Sequence, residues 1–264
     1  MRQLIVQTFA DKDGIVRIQG KEFKYLKQVL RVKIGDMVNI RFPDGSLINS
    51  TVIKIDDKNV FLQVCADSEI KKTITRGVQA DELSLKNDKN EFCLFQFIPR
   101  PQKFELIVRQ AVECGVKYII PVIGEYSEKS SIKSLQESKK DRLSRIIKEA
   151  RQQSGSPVQT EVSEVMTIDD ALSFWNQFSE KKGFILSERD VQSSSLAEQV
   201  KSIKTEKIGI AVGSEGGISP NELDLFIKKG LFYPVHFAVN ILRCETAALY
   251  GIASVQTMIN ELKM

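Results

Sequence analysis

The sequence predicts an α/β protein whose mostly parallel sheet is covered by helices on both faces, preceded by a small β-rich barrel. Three observations predict it. From residue 92 onward, short apolar runs alternate with amphipathic helical stretches, the pattern of strand–helix–strand crossovers. Before residue 70, short apolar/polar alternations are separated by turn residues at the spacing of a small barrel. Two segments near the C-terminus, Gly213-Ser214-Glu215-Gly216-Gly217 and Ile241-Leu242-Arg243-Cys244-Glu245-Thr246-Ala247, each close an apolar strand and open a helix.

In residues 1–70, a short helix fits Glu22–Leu30, with Phe23, Leu26, Val29 and Leu30 on one face. Val38, Ile40 and Phe42 then alternate, Pro43-Asp44-Gly45 makes a turn, and Val52–Ile55 resumes. Asp56-Asp57-Lys58-Asn59 is a second turn before Val60, Leu62 and Val64. Residues 71–90 are polar and charged and read as a linker. In residues 91–264, strand Phe92–Ile98 leads to helix Gln102–Cys114, and strand Lys117–Ile123 to helix Lys139–Gln153. Thr167 caps Ile168–Phe178, and Gly183–Leu186 and Lys207–Val212 are strands. Ser219-Pro220-Asn221-Glu222 is a capping box with proline in the first helical position. Tyr233–Val239 is the last strand and Cys244–Leu262 the last helix.

Composition excludes several classes. At 264 residues, 42% hydrophobic and 27% charged, the chain has room for two domains. Apolar runs such as Tyr118–Ile123 are far too short for a membrane span, and Met1-Arg2-Gln3 carries no signal-peptide pattern. The four cysteines form no CxxC pair and His236 is the only histidine. That argues against a zinc site or a Cys/His nucleophile, and for reduced thiols in a cytoplasm. A net charge of +4 permits a polyanionic partner without demanding one, so clustering matters more than the total.

In an open α/β sheet, ligands bind at the carboxyl ends of the strands. Both C-terminal motifs stand at such ends, and glycine there lets a ligand approach the backbone. Arg243 and Glu245 add opposite charges beside the same crevice. The first motif has neither the GxxxxGK[ST] of a P-loop nor the GxGxxG of a dinucleotide fold. Taken alone, it is equally a tight turn into a capped helix. Arg243 stands at a helix start, where a cation gains nothing from the helix dipole; its plain alternative is a surface ion pair with Glu245 or Glu215. The Lys139–Gln153 helix carries Arg142, Arg145, Lys148 and Arg151 opposite its stripe of Leu143, Ile146, Ile147 and Ala150, with Glu149 the only acid between Arg142 and Arg151. A charge run is ordinarily a solvated face, but one of a single sign suits phosphate contact. Lys21, Lys24, Lys27, Arg31 and Lys33 make a second basic cluster.

These residues carry a resemblance. Gly213 through Glu222, followed by Ile241–Ala247, resembles the paired signature of the RsmE family, the small-subunit ribosomal RNA (uridine-N3) methyltransferases of the SPOUT superfamily. Upstream, Ala111–Val116 with Ile120-Pro121, Ser127-Glu128-Lys129, and Glu149-Ala150 with Gln153-Ser154-Gly155 fall in register with further family segments, as do Val29-Leu30-Arg31 and Asp44-Gly45. The chain departs from the family's usual residues at Lys129, Ser156 and Asn240 (arginine), Ser214 (proline), Ala238 (glycine) and Cys244 (threonine).

The resemblance implies a PUA-like β-barrel RNA-binding domain over 1–70, a linker over 71–90, and a SPOUT methyltransferase domain with a trefoil knot over 91–264. It implies S-adenosyl-L-methionine as cofactor, a ribosomal RNA partner and a homodimer, with neither metal nor membrane. The adenosyl part would be held by Leu186, Val212, Gly213, Glu215, Gly216, Gly217, Phe237, Ile241 and Leu242. Arg243 would stabilise charge on the acceptor base, and Glu245 would accept a proton or orient Arg243. RNA contacts would fall to Lys27 and Arg31 in the first domain and to Arg142, Arg145 and Lys148 in the second. A non-catalytic RNA-binding paralogue, or an enzyme acting on another RNA, stands as the alternative.

Overall fold

The structure, a computed structural model, describes residues 3–65, 90–137, 140–188, 195–201, 203 and 207–263. The chain divides into two compact units, Met1–Asp88 with Arg151–Pro157, and Lys89–Ala150 with Val158–Met264. The linker expected over 71–90 lies, apart from Asn90, outside the described residues.

The first unit is a five-stranded sheet of β1 (Gln3–Ile5), β2 (Ile15–Gln19), β3 (Met37–Arg41), β4 (Leu47–Ile55) and β5 (Asn59–Val64), in the order β1-β3-β4-β5-β2. Among the described residues of this unit, only the β1–β3 pairing is parallel. Alternation puts Val38 and Ile40, Val16 and Ile18, and Val60 and Leu62 into one core with Leu4, Leu26 and Val52. Both expected turns form on an aspartate. Asp44 accepts from the Ser46 N–H and hydroxyl, and Asp56 from the N–H groups of Lys58 and Asn59. The expected helix is modified: α1 (Gly20–Lys24) passes into a π-helical turn, Tyr25–Leu30, which ends on Arg31 at φ 53°. The wider winding of the i→i+5 turn rotates Val29 out of the stripe that a regular helix would bury. Leu26 is buried and Val29 is 59% exposed.

The second unit holds β6 (Glu91–Phe97), α2 (Pro101–Glu113), β7 (Tyr118–Val122), α3 (Lys129–Glu137), α4 (Lys140–Ser154, of which the residues from Arg151 onward count with the first unit), β8 (Glu161–Val162), α5 (Ile168–Asn176), β9 (Lys181–Leu186), α6 (Leu196–Lys201), β10 (Lys207–Val212), α7 (Pro220–Lys228), β11 (Phe232–Val235) and α8 (Cys244–Lys263). Its strands run β11-β9-β10-β6-β7-β8 with every pairing parallel. Burial on both faces explains the unbroken apolar runs. On β6, Phe92 and Leu94 join the core built with α2, α4 and α8, while Cys93, Phe95 and Phe97 face the aromatic layer of Trp175, Phe226 and Phe232. Thr167 caps α5, and Ser219 and Glu222 form the full capping box of α7.

One strand ends earlier than its sequence reads. Tyr233–Val239 keeps a strand-like pattern, yet β11 stops at Val235, whose partner is Leu186, the last residue of β9. As an edge strand with one neighbour, β11 has nothing to pair with beyond that point. The apolar residues Phe237, Val239 and Ile241 line a cavity instead. Among the described residues, no helix is long and apolar enough to cross a membrane.

Candidate active site

Three neighbouring strands, β10, β9 and β11, end side by side, and the chain leaving each one walls a cavity of about 200 Å³. Leu186 ends β9 and Ser187 and Glu188 follow it, Val212 ends β10 and Gly213–Glu215 with Gly217 and Ile218 follow it, and Phe237 with Val239–Cys244 follow β11. Of the expected cofactor residues, Leu186, Val212, Gly213, Glu215, Gly217, Phe237, Ile241 and Leu242 line this cavity, as does Arg243. Gly216 and Glu245 stand outside the lining.

The β10 wall is fastened from behind. Ser214–Gly217 is a tight turn closed by Gly217 N–H donating to Ser214 O at 3.0 Å, with glycine in the position a type I turn favours. It folds back on Gly213 so closely that a Cβ there would lie 2.6 Å from the Gly217 carbonyl carbon. Buried Gln96 donates through Nε2 to Val212 O at 3.3 Å and Gly213 O at 2.9 Å. Gly216 has a different reason for its missing side chain: a Cβ would meet the Tyr126 Cβ at 2.6 Å. Its neighbour in space is thus the loop after β7, and it stands outside the cavity lining. Glu222 ties that loop down. One oxygen accepts from Ser219 N–H at 2.8 Å in the capping box and the other from Glu125 N–H at 2.6 Å.

The charges also sort differently from the sequence expectation. Lys103, from the first turn of α2, places Nζ 3.5 Å from Glu215 Oε1 and 3.6 Å from Glu245 Oε2 and itself lines the cavity. Glu215 Oε1 also accepts from Arg100 N–H at 3.2 Å. Lys103 thus takes both acids offered as partners for Arg243, which is exposed and forms no ion pair among the described residues. Burial alone would raise the Glu245 carboxyl, but its own backbone N–H, the Cys244 thiol and Lys103 together hold it below the usual carboxylate value. The Cys244 Sγ donates to Glu245 Oε2 at 3.2 Å. Burial, together with that bond and the nearby Glu215 and Glu245, pushes the thiol up to about 12.

None of the expected RNA-contacting residues is among those that line this cavity. Lys27 and Arg31 are exposed on the first unit, with Lys27 Nζ 5.3 Å from the Phe23 ring centroid. On α4, Arg142 pairs with Glu105 at 2.5 Å, Arg145 is exposed and Lys148 half-buried. Arg151 belongs with the first unit, where its Nη2 donates to Pro157 O at 3.3 Å. Among the departures from the family pattern, Ser214, Asn240 and Cys244 line the cavity, whereas Ser156 is buried in the first unit with its carbonyl accepting from Gln3. Sequence reasoning missed Lys103, Glu188, Gln96 and Tyr126. Only Gln96 carried a signal, as a lone amide inside the run Phe92-Cys93-Leu94-Phe95-Gln96-Phe97. Among the described residues, no group of His, Cys, Asp and Glu could hold a metal ion.

Comparison with known families gives the parallel sheet and the small β-rich unit before it their class, a two-domain RNA methyltransferase. The family model described as an RNA methyltransferase domain matches residues 86–256, and the RNA methyltransferase PUA domain matches residues 18–65. The chain belongs to the ribosomal RNA small subunit methyltransferase E family. It is 27% identical over 278 residues to ribosomal RNA small subunit methyltransferase E 2 of Borreliella burgdorferi, covering 99% of each chain. It is 30% identical over 253 residues to ribosomal RNA small subunit methyltransferase E of Synechocystis sp., covering 94% of this chain and 74% of the relative. The fold matches the crystal structure of that enzyme from Neisseria gonorrhoeae bound to S-adenosyl methionine, with a TM-score of 0.74, 23% identity and 98% of each chain covered.

Proposed function

We propose that this protein transfers the methyl group of S-adenosylmethionine to N3 of a uridine in small-subunit ribosomal RNA, in the cytoplasm and as a homodimer. The observation that carries the reading is the strand-end cavity: a glycine turn fixed by its own hydrogen bond and by Gln96, facing apolar walls and bordered by opposite charges. Leu186, Val212, Ile218, Phe237 and Leu242 offer apolar surface for a purine, and the β10 turn offers backbone groups for its polar edge. The residues present therefore fit the cofactor. When bound, it supplies a methyl group already activated by the sulfonium.

What remains for the protein is alignment and an acceptor nitrogen stripped of its proton. Arg243 reaches the cavity with its guanidinium uncommitted to either acid and is the donor for charge spreading onto the base's carbonyl oxygens. Glu245, turned toward Lys103 and Cys244, orients the cationic side of the site. In the proposed homodimer, the exposed Val239, Ile241 and Tyr250 offer apolar surface for a second copy. The basic residues Lys27, Arg31, Arg142, Arg145 and Lys148 hold RNA phosphates. Mass spectrometry of ribosomal RNA from cells with and without this gene tests the reading. Loss of one N3-methyluridine from the small-subunit RNA is expected; identical nucleoside profiles would sink it.

A further inference from the structure

We propose that Lys103 is a second catalytic cation, donating to a carbonyl oxygen beside N3 of the acceptor uracil; this rests on the function proposed above. Lys103 lines the cavity with its side chain 30% exposed. It is gripped from two sides, by Glu215 on the turn after β10 and by Glu245 in the first turn of α8. At 3.5 and 3.6 Å these are ion pairs rather than tight hydrogen bonds, which centre near 2.9 Å. An ammonium has three donors, so its position is fixed while donating capacity remains for a ligand. Besides Glu215, the other charged or titratable side chains on the cavity are Glu188, His236, Arg243 and Cys244. Arg243 reaches the cavity from an exposed position with no ion pair among the described residues, whereas Lys103 is held before any substrate arrives. A donor set in place in advance costs no reorganisation during the reaction, which is where such groups gain most.

The step balances without a further reagent. The N3 proton passes to solvent, leaving an anion whose charge spreads onto the two neighbouring carbonyl oxygens. The N3 lone pair then forms the N–C bond as the S–C bond breaks, the electron pair of that bond staying on sulfur. Anion and sulfonium become a neutral base and a neutral thioether. A cation beside one carbonyl oxygen raises the population of the anion at neutral pH, and so acts before and during transfer.

The test compares full-length wild type with Lys103→Met and Lys103→Arg, on small ribosomal subunits or their RNA lacking the modification. It measures kcat, KM for RNA, the pH dependence of the rate, and S-adenosylmethionine affinity by calorimetry. Lys103→Met should lose about 100- to 1,000-fold in kcat, the cost of removing one preorganised donor. Cofactor affinity should stay within about threefold of wild type, a loss confined to the transition state. The alkaline rise of the rate should move to higher pH, and Lys103→Arg should recover at least about tenfold of the lost rate. A wild-type rate in Lys103→Met, an unmoved pH profile, or a rate loss matched by lost cofactor affinity would each overturn the proposal. Mass spectrometry of the wild-type product scores the underlying reading separately. A methyl group elsewhere than N3 defeats that reading, whereas N3-methyluridine with an indifferent Lys103→Met defeats only the role of Lys103.

Discussion

Replacing Gly213 by alanine tests whether the β10 turn shapes the cofactor site. The added Cβ would lie 2.6 Å from the Gly217 carbonyl carbon and 2.7 Å from its oxygen, where ordinary contact begins at 3.4 Å. Backbone has to move by about 0.8 Å, the difference between 2.6 and 3.4 Å. No rotamer change relieves such a contact, because both partners are main chain. The displacement opens the Gly217-to-Ser214 hydrogen bond and pulls against Gln96, which holds Gly213 O. Overpacking of this kind costs about 1–3 kcal/mol, which as lost binding is about 5- to 150-fold in affinity. The assay is calorimetric titration with S-adenosylmethionine, with Gly209→Ala as control. That substitution meets Trp175 Cη2 at 2.9 Å and Phe232 on the opposite face of the sheet. It should lower thermal stability by a similar amount and leave cofactor affinity of the folded protein within about threefold. Wild-type affinity in Gly213→Ala, or equal losses in both variants, would refute the idea that this turn is the cofactor wall.

Three further outcomes follow from the same geometry. Arg243→Ala should lower kcat by about 100-fold or more while cofactor affinity changes little, measured by single-turnover kinetics beside calorimetry; an equal loss in both would make Arg243 a binding residue. RNA affinity should fall steeply with added salt, and charge-neutral replacement of Lys27 and Arg31, or of Arg145 and Lys148, should flatten the slope of log affinity against log salt. A salt-indifferent affinity would leave these faces merely solvated. The Cys244 thiol, pushed up to about 12, should resist alkylation at pH 8 in the folded protein and react on unfolding. The sign is that of an acid whose neutral form is favoured: the contribution to stability is complete below the unfolded thiol's pKa and is lost as pH rises toward 12. Rapid alkylation of native protein would contradict that burial.

Much of the second unit is legible because its signals are local. Lys207–Val212 reads as a buried strand at its observed bounds, and Ser219-Pro220-Asn221-Glu222 states its capping box in four residues. The strand-to-helix turns point to Gly213 and Arg243, which share the cavity, whereas Leu186 and Phe237 are expected only from the family resemblance. What escaped depends on contacts far apart in the chain. Glu222 is a plain cap in sequence, and only the fold brings Glu125 N–H to its second oxygen. Lys103 is one polar residue on an amphipathic helix until Glu215 and Glu245 arrive on either side. The three-residue β1 is too short to show a period, and its parallel pairing with β3 has no local signature. Nor does composition distinguish a π-helical turn from a regular one at Tyr25–Leu30.

The early end of β11 gives the cavity two walls of unequal hardness. The β10 turn is a closed hydrogen-bonded loop, pinned by Gln96 and the capping box behind it. Across from it, the chain from His236 to Arg243 has left the sheet, and its internal backbone bond is the short Val239 N–H to Phe237 O contact at 2.7 Å. Segments whose amides face solvent or ligand rather than a ladder open at low free-energy cost. Opening this softer wall should then cost less than opening the β10 turn, and a ligand's residence time is expected to follow the segment's opening rate. Amide exchange should be fast over residues 236–243 in the free protein, and slowing it should prolong residence more than any tightening of the glycine turn.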